Sequence, residues 1–316
     1  MLALNLEGEL FKTNALEILQ SKVTVINTTV KDIILEKYPS AEILFVKLGH
    51  KICASLLSKL PKLRYIVCPA TGLDHIDLEY CDAQKIEVLS VRGQEKFLSQ
   101  ITSTSEIAWW HILELSRKAN DFQNKVVEGE WNRNQFVTES LQDKVLGICG
   151  YGRLGKQMAT IGRAFGMKVV VHDKLQSRVT GIESTKTLSE LFSIVDVLTL
   201  HIEASKENKN LINRELLNQI SKPKFLLVNT SRGSIVDEQA IVEALEAGNI
   251  HGYGADVLYE ETRENYDWLE KSKIWQAKKT KKFNITLTPH IGGATKDSQF
   301  KVENEVVMQL INRLKI

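Results

Sequence analysis

The stretch GICGYGRLGKQMA, Gly147 to Ala159, holds Gly150, Gly152 and Gly155 in the spacing G-x-G-x-x-G. Three glycines alone suit a plain turn as well as a phosphate cradle, so the neighbours decide. A dinucleotide turn follows a strand, opens a helix, and has an acid about 20 residues on, at the end of the next strand. Here the apolar VLGIC (145–149) precedes the glycines and GKQMATIGRAF follows them as a helix. Asp173 ends KVVVHD, 18 residues beyond Gly155. In such a turn Gly150 permits the tight bend, Gly152 close backbone approach to a pyrophosphate, and Gly155 tight helix packing. The helix start, at Arg153 and Leu154, faces the phosphates with unpaired N–H groups and its positive dipole end. Asp173 would accept hydrogen bonds from an adenosine ribose and repel a 2′-phosphate, which favours NAD over NADP.

Outward from this turn, short apolar runs alternate with helical patterns almost from end to end. Before it, candidate strands are Val23–Ile26, Glu42–Val46, Arg64–Cys68 and Ile86–Val91. From the turn onward they are 145–149, 168–172, 195–201, 224–229, 251–257 and 284–288. This alternation predicts parallel sheets covered by helices on both faces. Six strands with crossovers is the count of a doubly wound dinucleotide fold. Two long helical stretches bracket it: STSEIAWWHILELSRKANDF (103–122), and 295–314, where Val302, Val306, Leu310 and Leu314 step by four. The expected organisation is therefore a first domain over 1–103, a dinucleotide domain over 104–290, and a helix over 291–316 that returns to the first domain.

Composition excludes several classes. The 316 residues are 43% hydrophobic and 25% charged, the balance of a globular chain with a real core. A formal net charge of +2 gives no reason to expect nucleic acid or an anionic membrane. The densest basic run, Lys278–Lys282, reads as a solvated turn. Cys53, Cys68, Cys81 and Cys149 form no C-x-x-C pair and no cluster with histidine, so they read as reduced thiols with no metal site. The start, MLALNLEGELFK, lacks the pattern of a signal peptide, and no apolar run reaches about 18 residues. The expectation is a soluble, cytoplasmic, two-domain protein.

Ligands of open α/β sheets sit beyond the carboxyl ends of the strands, so the polar residues there carry the chemistry. Arg232 follows KFLLVNT, Glu261 follows HGYGADVLYE, and His290 follows NITLTP, at intervals of 29 residues. Singly, each suits a surface charge or a turn residue. Jointly, on one sheet edge beside a nucleotide motif, they form a candidate catalytic set.

At this point the chain resembles the D-isomer-specific 2-hydroxyacid dehydrogenases. PKLRYIVCPATGLDHIDL is similar to the family's substrate-domain loop. GYGRLG, NTSRGSIVDEQAIVEALEAG, GADVLYEE and TPHIGGAT follow its dinucleotide-domain motifs in order. The resemblance implies a Rossmann NAD-binding domain inserted into a flavodoxin-like substrate domain. It implies Arg232, Glu261 and His290 as catalytic residues, and the N–H groups of Thr71 and Gly72 against a substrate carboxylate. Lys47 sits where many members carry an arginine near the substrate. His201, Thr230, Ser231, Asp256 and Gly293 join the glycine turn around the cofactor, with Asp256 near the nicotinamide amide. A homodimer through the NAD-binding domain is implied as well.

The chain also departs from the family. Thr262 replaces the usual proline after the glutamate, and the connection over 262–284 is longer, with Trp268, Leu269, Ile274 and Trp275 to make it a lid, a dimer contact or a packed excursion. Arg92 and Lys96 lie in an extended segment, where surface charge is the plainer reading. HIEASKENKN replaces an apolar-proline turn with charge, and the end at Ile316 leads us to expect no C-terminal regulatory domain.

The reading is an NAD-dependent reductase of 2-keto acids. An NAD(H)-sensing binding protein on the same scaffold is the rival from another class. Formate oxidation is disfavoured because such members lack an acid paired to the histidine; phosphite oxidation is a minor alternative.

Overall fold

Parallel strands covered on both faces must be buried nearly throughout, and the inner strands here are, whereas the edge strand Thr24–Asn27 has no buried residue. In the computed structural model, which describes residues 1–8, 11, 13–175, 179–219, 225–262 and 266–316, they build two separate sheets. The chain divides into two compact units, Met1–Gln100 with Ala294–Ile316, and Ile101–Glu261 with Tyr266–Gly293.

The first unit holds β1 (Leu2–Asn5), β2 (Thr24–Asn27), β3 (Ile43–Phe45), β4 (Tyr65–Val67) and β5 (Glu87–Leu89). Their order is β2-β1-β3-β4-β5, all parallel, which is the flavodoxin-like order. Strand β1 was not among the expected strands, although it pairs on both sides and buries Ala3 and Leu4 completely. The helix Lys296–Leu314, capped by Thr295, belongs to this unit. Its buried residues are Ser298, Glu303, Val306, Val307, Leu310 and Ile311, so the packed stripe lies beside the four-residue stepping read from the sequence. Gln309 Nε2 donates to the Ser90 carbonyl and Arg313 pairs with Glu87, tying the end of the chain to β5 and the residue after it.

The second unit contains β6 (Val145–Cys149), β7 (Lys168–His172), β8 (Val197–Leu200), β9 (Phe225–Asn229), β10 (Ile250–Ala255) and β11 (Ile285–Leu287). The order is β11-β10-β9-β8-β6-β7, again all parallel. Among the described residues, β7 is followed on its outer side by an isolated parallel bridge between Val171 and Ser184, the place of the outer strand in a Rossmann half. Of the expected strand 224–229, Lys224 lies outside the described residues.

The helix expected over 103–122 is two helices, Ser103–Arg117 and Ala119–Val127, broken at Lys118, whose φ of 50° is left-handed. The basic run is exposed throughout, as expected, and passes from the end of a helix, Lys273–Lys279, into a turn; Lys278 Nζ donates to the Ile285 carbonyl and Lys279 lies over the Trp275 ring. That helix and the short 3-10 helix Asp267–Lys271 lie within the long connection over 262–284, of which residues 263–265 lie outside the described residues. Ile274 and Ala277 enter the hydrophobic core. Glu238, first residue of the helix Glu238–Glu246, accepts from Ser272 Oγ and Lys273 N, both at 2.8 Å. The described part is thus a packed excursion. Among the described residues no helix is long and apolar enough to cross a membrane.

Candidate active site

The glycine turn is shaped by missing side chains. Gly150 has φ +94°, donates its N–H to the His172 carbonyl, and approaches so closely that a Cβ would collide with the His201 carbonyl. A Cβ on Gly155 would strike the Gly150 carbonyl, whereas one on Gly152 would meet nothing within 4 Å. Two glycines are thus required by packing and the third borders open space. Gly152 is also the N-cap of the 12-residue helix Arg153–Ala164 and supplies no side-chain cap, so the positive end of that helix meets the open space at Gly152. The Arg153 guanidinium donates to the Ile101 carbonyl at 3.0 Å.

Around the turn, Asp173 is buried at the end of β7, with one carboxylate oxygen on Tyr151 N (2.7 Å) and the other on Leu175 N (2.8 Å). His201 follows β8; its Nε2 meets Thr199 Oγ1 at 2.8 Å. Burial, and then the Arg153 charge, push that imidazole down to about 3, so it is neutral at physiological pH. His201 Nδ1 and Thr230 Oγ1 are buried with no hydrogen-bond partner among the described residues. Orphaned polar atoms beside an open glycine turn fit a polar ligand, and the donor-rich cradle fits a dinucleotide pyrophosphate. Ser231 is already engaged, donating to the Leu200 carbonyl at 2.7 Å.

The catalytic candidates leave the ends of three adjacent strands, β9, β10 and β11. Buried Asn229 shapes the first loop, accepting from Ser231 N and donating to the Arg232 carbonyl. Gly233 lies so near the Leu258–Tyr259 backbone that any side chain would clash, which locks the Arg232 loop against the loop that ends in Glu261. Glu261 Oε1 meets His290 Nδ1 at 2.5 Å, and its other oxygen accepts from Leu258 N. His290 has φ +53°, a conformation uncommon outside glycine. Asp256 explains how it is held: Oδ1 accepts from Ile291 N (2.8 Å) and Thr288 Oγ1 (2.6 Å), and Oδ2 from Gly292 N (2.7 Å). Burial raises the Asp256 carboxyl above its usual range while these three bonds pull it down. Gly293 lies exposed, just beyond this loop.

Lys47, Thr71 and Gly72 belong to the first unit. Thr71 is exposed and Gly72 half-buried in the loop after β4. The Lys47 ammonium, expected near the substrate, pairs at 2.6 Å with buried Glu303 and lies 5.0 Å from the Phe11 ring centre. Arg92 and Lys96 are exposed. Sequence reading passed over Asn229, Gly233 and His111. His111 shares the buried face of its helix with Ala108, Ile112 and Leu115, and a histidine there was a visible signal.

Residues 109–292 match the family model described as D-isomer specific 2-hydroxyacid dehydrogenase, NAD binding domain. The chain is 29% identical over 307 residues to a D-3-phosphoglycerate dehydrogenase of Methanocaldococcus jannaschii, spanning 95% of this chain and 55% of that one. It is 32% identical over 279 residues to a glyoxylate reductase of Aeropyrum pernix, spanning 85% and 78%. The crystal structure of a D-lactate dehydrogenase from Aquifex aeolicus complexed with NAD and lactic acid superposes with a TM-score of 0.84 at 27% identity, over 100% of this chain and 96% of that one. The chain spans 48% to 67% of the length of phosphoglycerate dehydrogenases that it matches.

Proposed function

Because the chain belongs to the D-isomer-specific 2-hydroxyacid dehydrogenase family, we propose that it is an NAD-dependent oxidoreductase that reduces a 2-keto acid to the D-2-hydroxy acid, and catalyses the reverse. The observation that carries this reading is the Glu261–His290 hydrogen bond. With Nδ1 held by a carboxylate, the imidazole is oriented and Nε2 is left for substrate. Bound NADH supplies the hydride that C2 accepts. Arg232 offers a planar fork of donors to the substrate carboxylate and carbonyl oxygen, polarising the carbonyl. His290 gives its Nε2 proton to the developing alkoxide, and in the oxidative direction takes it back. Thr71 and Gly72 supply backbone N–H groups to the carboxylate. Asp173 favours NADH by repelling a 2′-phosphate.

The partner is a small 2-keto or 2-hydroxy acid. We assign the chain to the cytoplasm, which its four unpaired cysteines suit. We also assign it a homodimer through the second unit, which exposes Val127 (83%), Trp131 (86%) and Val137 (82%) along one segment. Loss of NADH absorbance with glyoxylate, hydroxypyruvate, phosphohydroxypyruvate and sugar-derived 2-keto acids tests the activity. NADH binding without turnover on any of them would favour the sensing protein instead.

A further inference from the structure

His111 is a buried, titratable side chain that the proposed chemistry does not use. It projects from the helix Ser103–Arg117 with no exposed surface. Gly254 on β10 makes room for it, since a Cβ there would come within 2.9 Å of His111 Cβ. Both ring nitrogens are bonded: Nδ1 lies 2.8 Å from Thr286 Oγ1, and Nε2 lies 3.0 Å from Thr288 Oγ1.

The direction of these bonds follows from counting protons. Asp256 accepts three hydrogen bonds, the situation of an ionised carboxylate, so it can only accept from Thr288. Thr288 has one hydroxyl proton and places it on Asp256. His111 Nε2 must therefore carry a proton and donate it to Thr288 Oγ1. A neutral imidazole then has a bare Nδ1, which accepts from the Thr286 hydroxyl. Burial pushes His111 down to about 4, which keeps it neutral at physiological pH. The chain of donors thus runs one way, from Thr286 through His111 and Thr288 to Asp256.

We propose that His111 is a positioning residue for His290: its Nε2–H fixes the Thr288 hydroxyl on Asp256, and Asp256 pins the Ile291 and Gly292 N–H groups that hold the left-handed turn at His290. This rests on the reading of His290 as the proton donor. The network has a chemical logic of its own. A buried carboxylate is costly unless each lone pair finds a donor, and a hydroxyl with a free rotor donates reliably only when something fixes it.

The experiment pairs two isosteres. In His111→Gln the side-chain amide can place an N–H near the Nε2 position, whereas His111→Asn reaches only the Nδ1 position. With NADH saturating, His111→Asn and Thr288→Val should each lower kcat for the best keto acid by about tenfold, with NADH affinity within about twofold of wild type. His111→Gln should recover most of the rate, and the double variant His111→Asn/Thr288→Val should be no slower than either single one. Two spectroscopic readouts need no turnover. In 15N-labelled wild type His111 should be the Nε2–H tautomer, and the downfield amide signals of Ile291 and Gly292 should move in His111→Asn but not in His111→Gln.

An Nδ1–H tautomer in the wild type, unchanged amide signals in His111→Asn, or equal loss in the Asn and Gln variants would overturn the assignment. Absence of turnover in the wild type would instead remove the proposed activity. The tautomer and amide signals would still decide the link from His111 to the His290 turn.

Discussion

The glycine turn after β6 and the catalytic edge after β9 to β11 lie in the same unit and are built on opposite plans. At the turn, function comes from what is absent: no Cβ on Gly150 or Gly155, open space at Gly152, and polar atoms of His201 and Thr230 without partners among the described residues. At the edge, Asp256, Thr288 and His111 are bonded through every polar side-chain atom. A surface that recognises a ligand keeps its donors for that ligand. A group that must transfer a proton has to be aimed before the ligand arrives. The difference teaches where mutation should hurt cofactor binding and where it should spare the cofactor and hurt turnover.

The sharpest way to break this contrast is His290→Ala. Removing a general acid costs about 10²- to 10⁴-fold in rate, while the glycine turn is untouched. NADH titration should therefore be near wild type while kcat collapses. Near-normal turnover would remove His290 from the chemistry, and lost NADH binding would show that the two regions are not separable.

A second test uses stability. Burial lowers His111 from its ordinary 6.5 to about 4. The unfolded chain takes up this proton near pH 6.5 and the native state only near pH 4, so the stability it contributes is complete above 6.5. That stability is lost as pH falls toward 4, by on the order of 3 kcal/mol. Asp256 works the other way: its raised carboxyl binds a proton in the native state before the unfolded chain does, which offsets part of the slope. His111→Gln removes only the histidine contribution. Urea unfolding between pH 6.5 and 4 should therefore show a shallower loss than wild type. Parallel curves would mean that the imidazole is not buried neutral in solution.

The same contrast explains what could be read from the sequence. A turn built on missing side chains leaves a local motif, and Gly150, Gly152, Gly155 and Asp173 stood out within 24 residues of one another. The edge is spread over three separate stretches, so Arg232, Glu261 and His290 stood out from the residues alone only as polar residues after strands. They came together through the resemblance of NTSRGSIVDE, GADVLYEE and TPHIGGAT; His111 lies in none of these stretches. Pairings across long separations were invisible, as with Lys47 and Glu303. Strand β1 was missed because LALN is four residues long, without turn signals before it; pairing with β2 and β3 makes it a strand. Lys118 breaks its helix without glycine or proline to announce it.

Two glycine substitutions sharpen the contrast within the turn itself. Gly152→Ala adds a methyl group where the protein has nothing within 4 Å, so unfolding should match wild type while NADH binds more than about tenfold weaker, over 1.4 kcal/mol. Gly155→Ala drives a methyl group into the Gly150 carbonyl and should lower the melting temperature itself. If Gly152→Ala binds NADH as wild type does, the open space does not face the phosphates.

The smallest expected effect concerns Asp173, the one residue at the turn that follows the plan of the edge. Each of its carboxylate oxygens accepts a backbone N–H, from Tyr151 and Leu175, and it carries the charge expected to exclude a 2′-phosphate. Alanine would confuse these roles, because it removes the charge and also strips an acceptor from the N–H of Tyr151 inside the glycine turn. Asparagine separates them: its one carbonyl oxygen can keep the Tyr151 bond while the charge is lost. Asp173→Asn should leave NADH affinity within a few-fold of wild type and improve NADPH about tenfold, the effect of removing one unfavourable interaction of roughly 1.4 kcal/mol. Asp173→Ala should narrow the same gap while also weakening NADH. Titrating both cofactors into the three proteins at one ionic strength reads the outcome, since salt screens the repulsion. A gap unchanged in Asp173→Asn would make Asp173 a clamp for the turn alone, and the preference for NADH would then need another source.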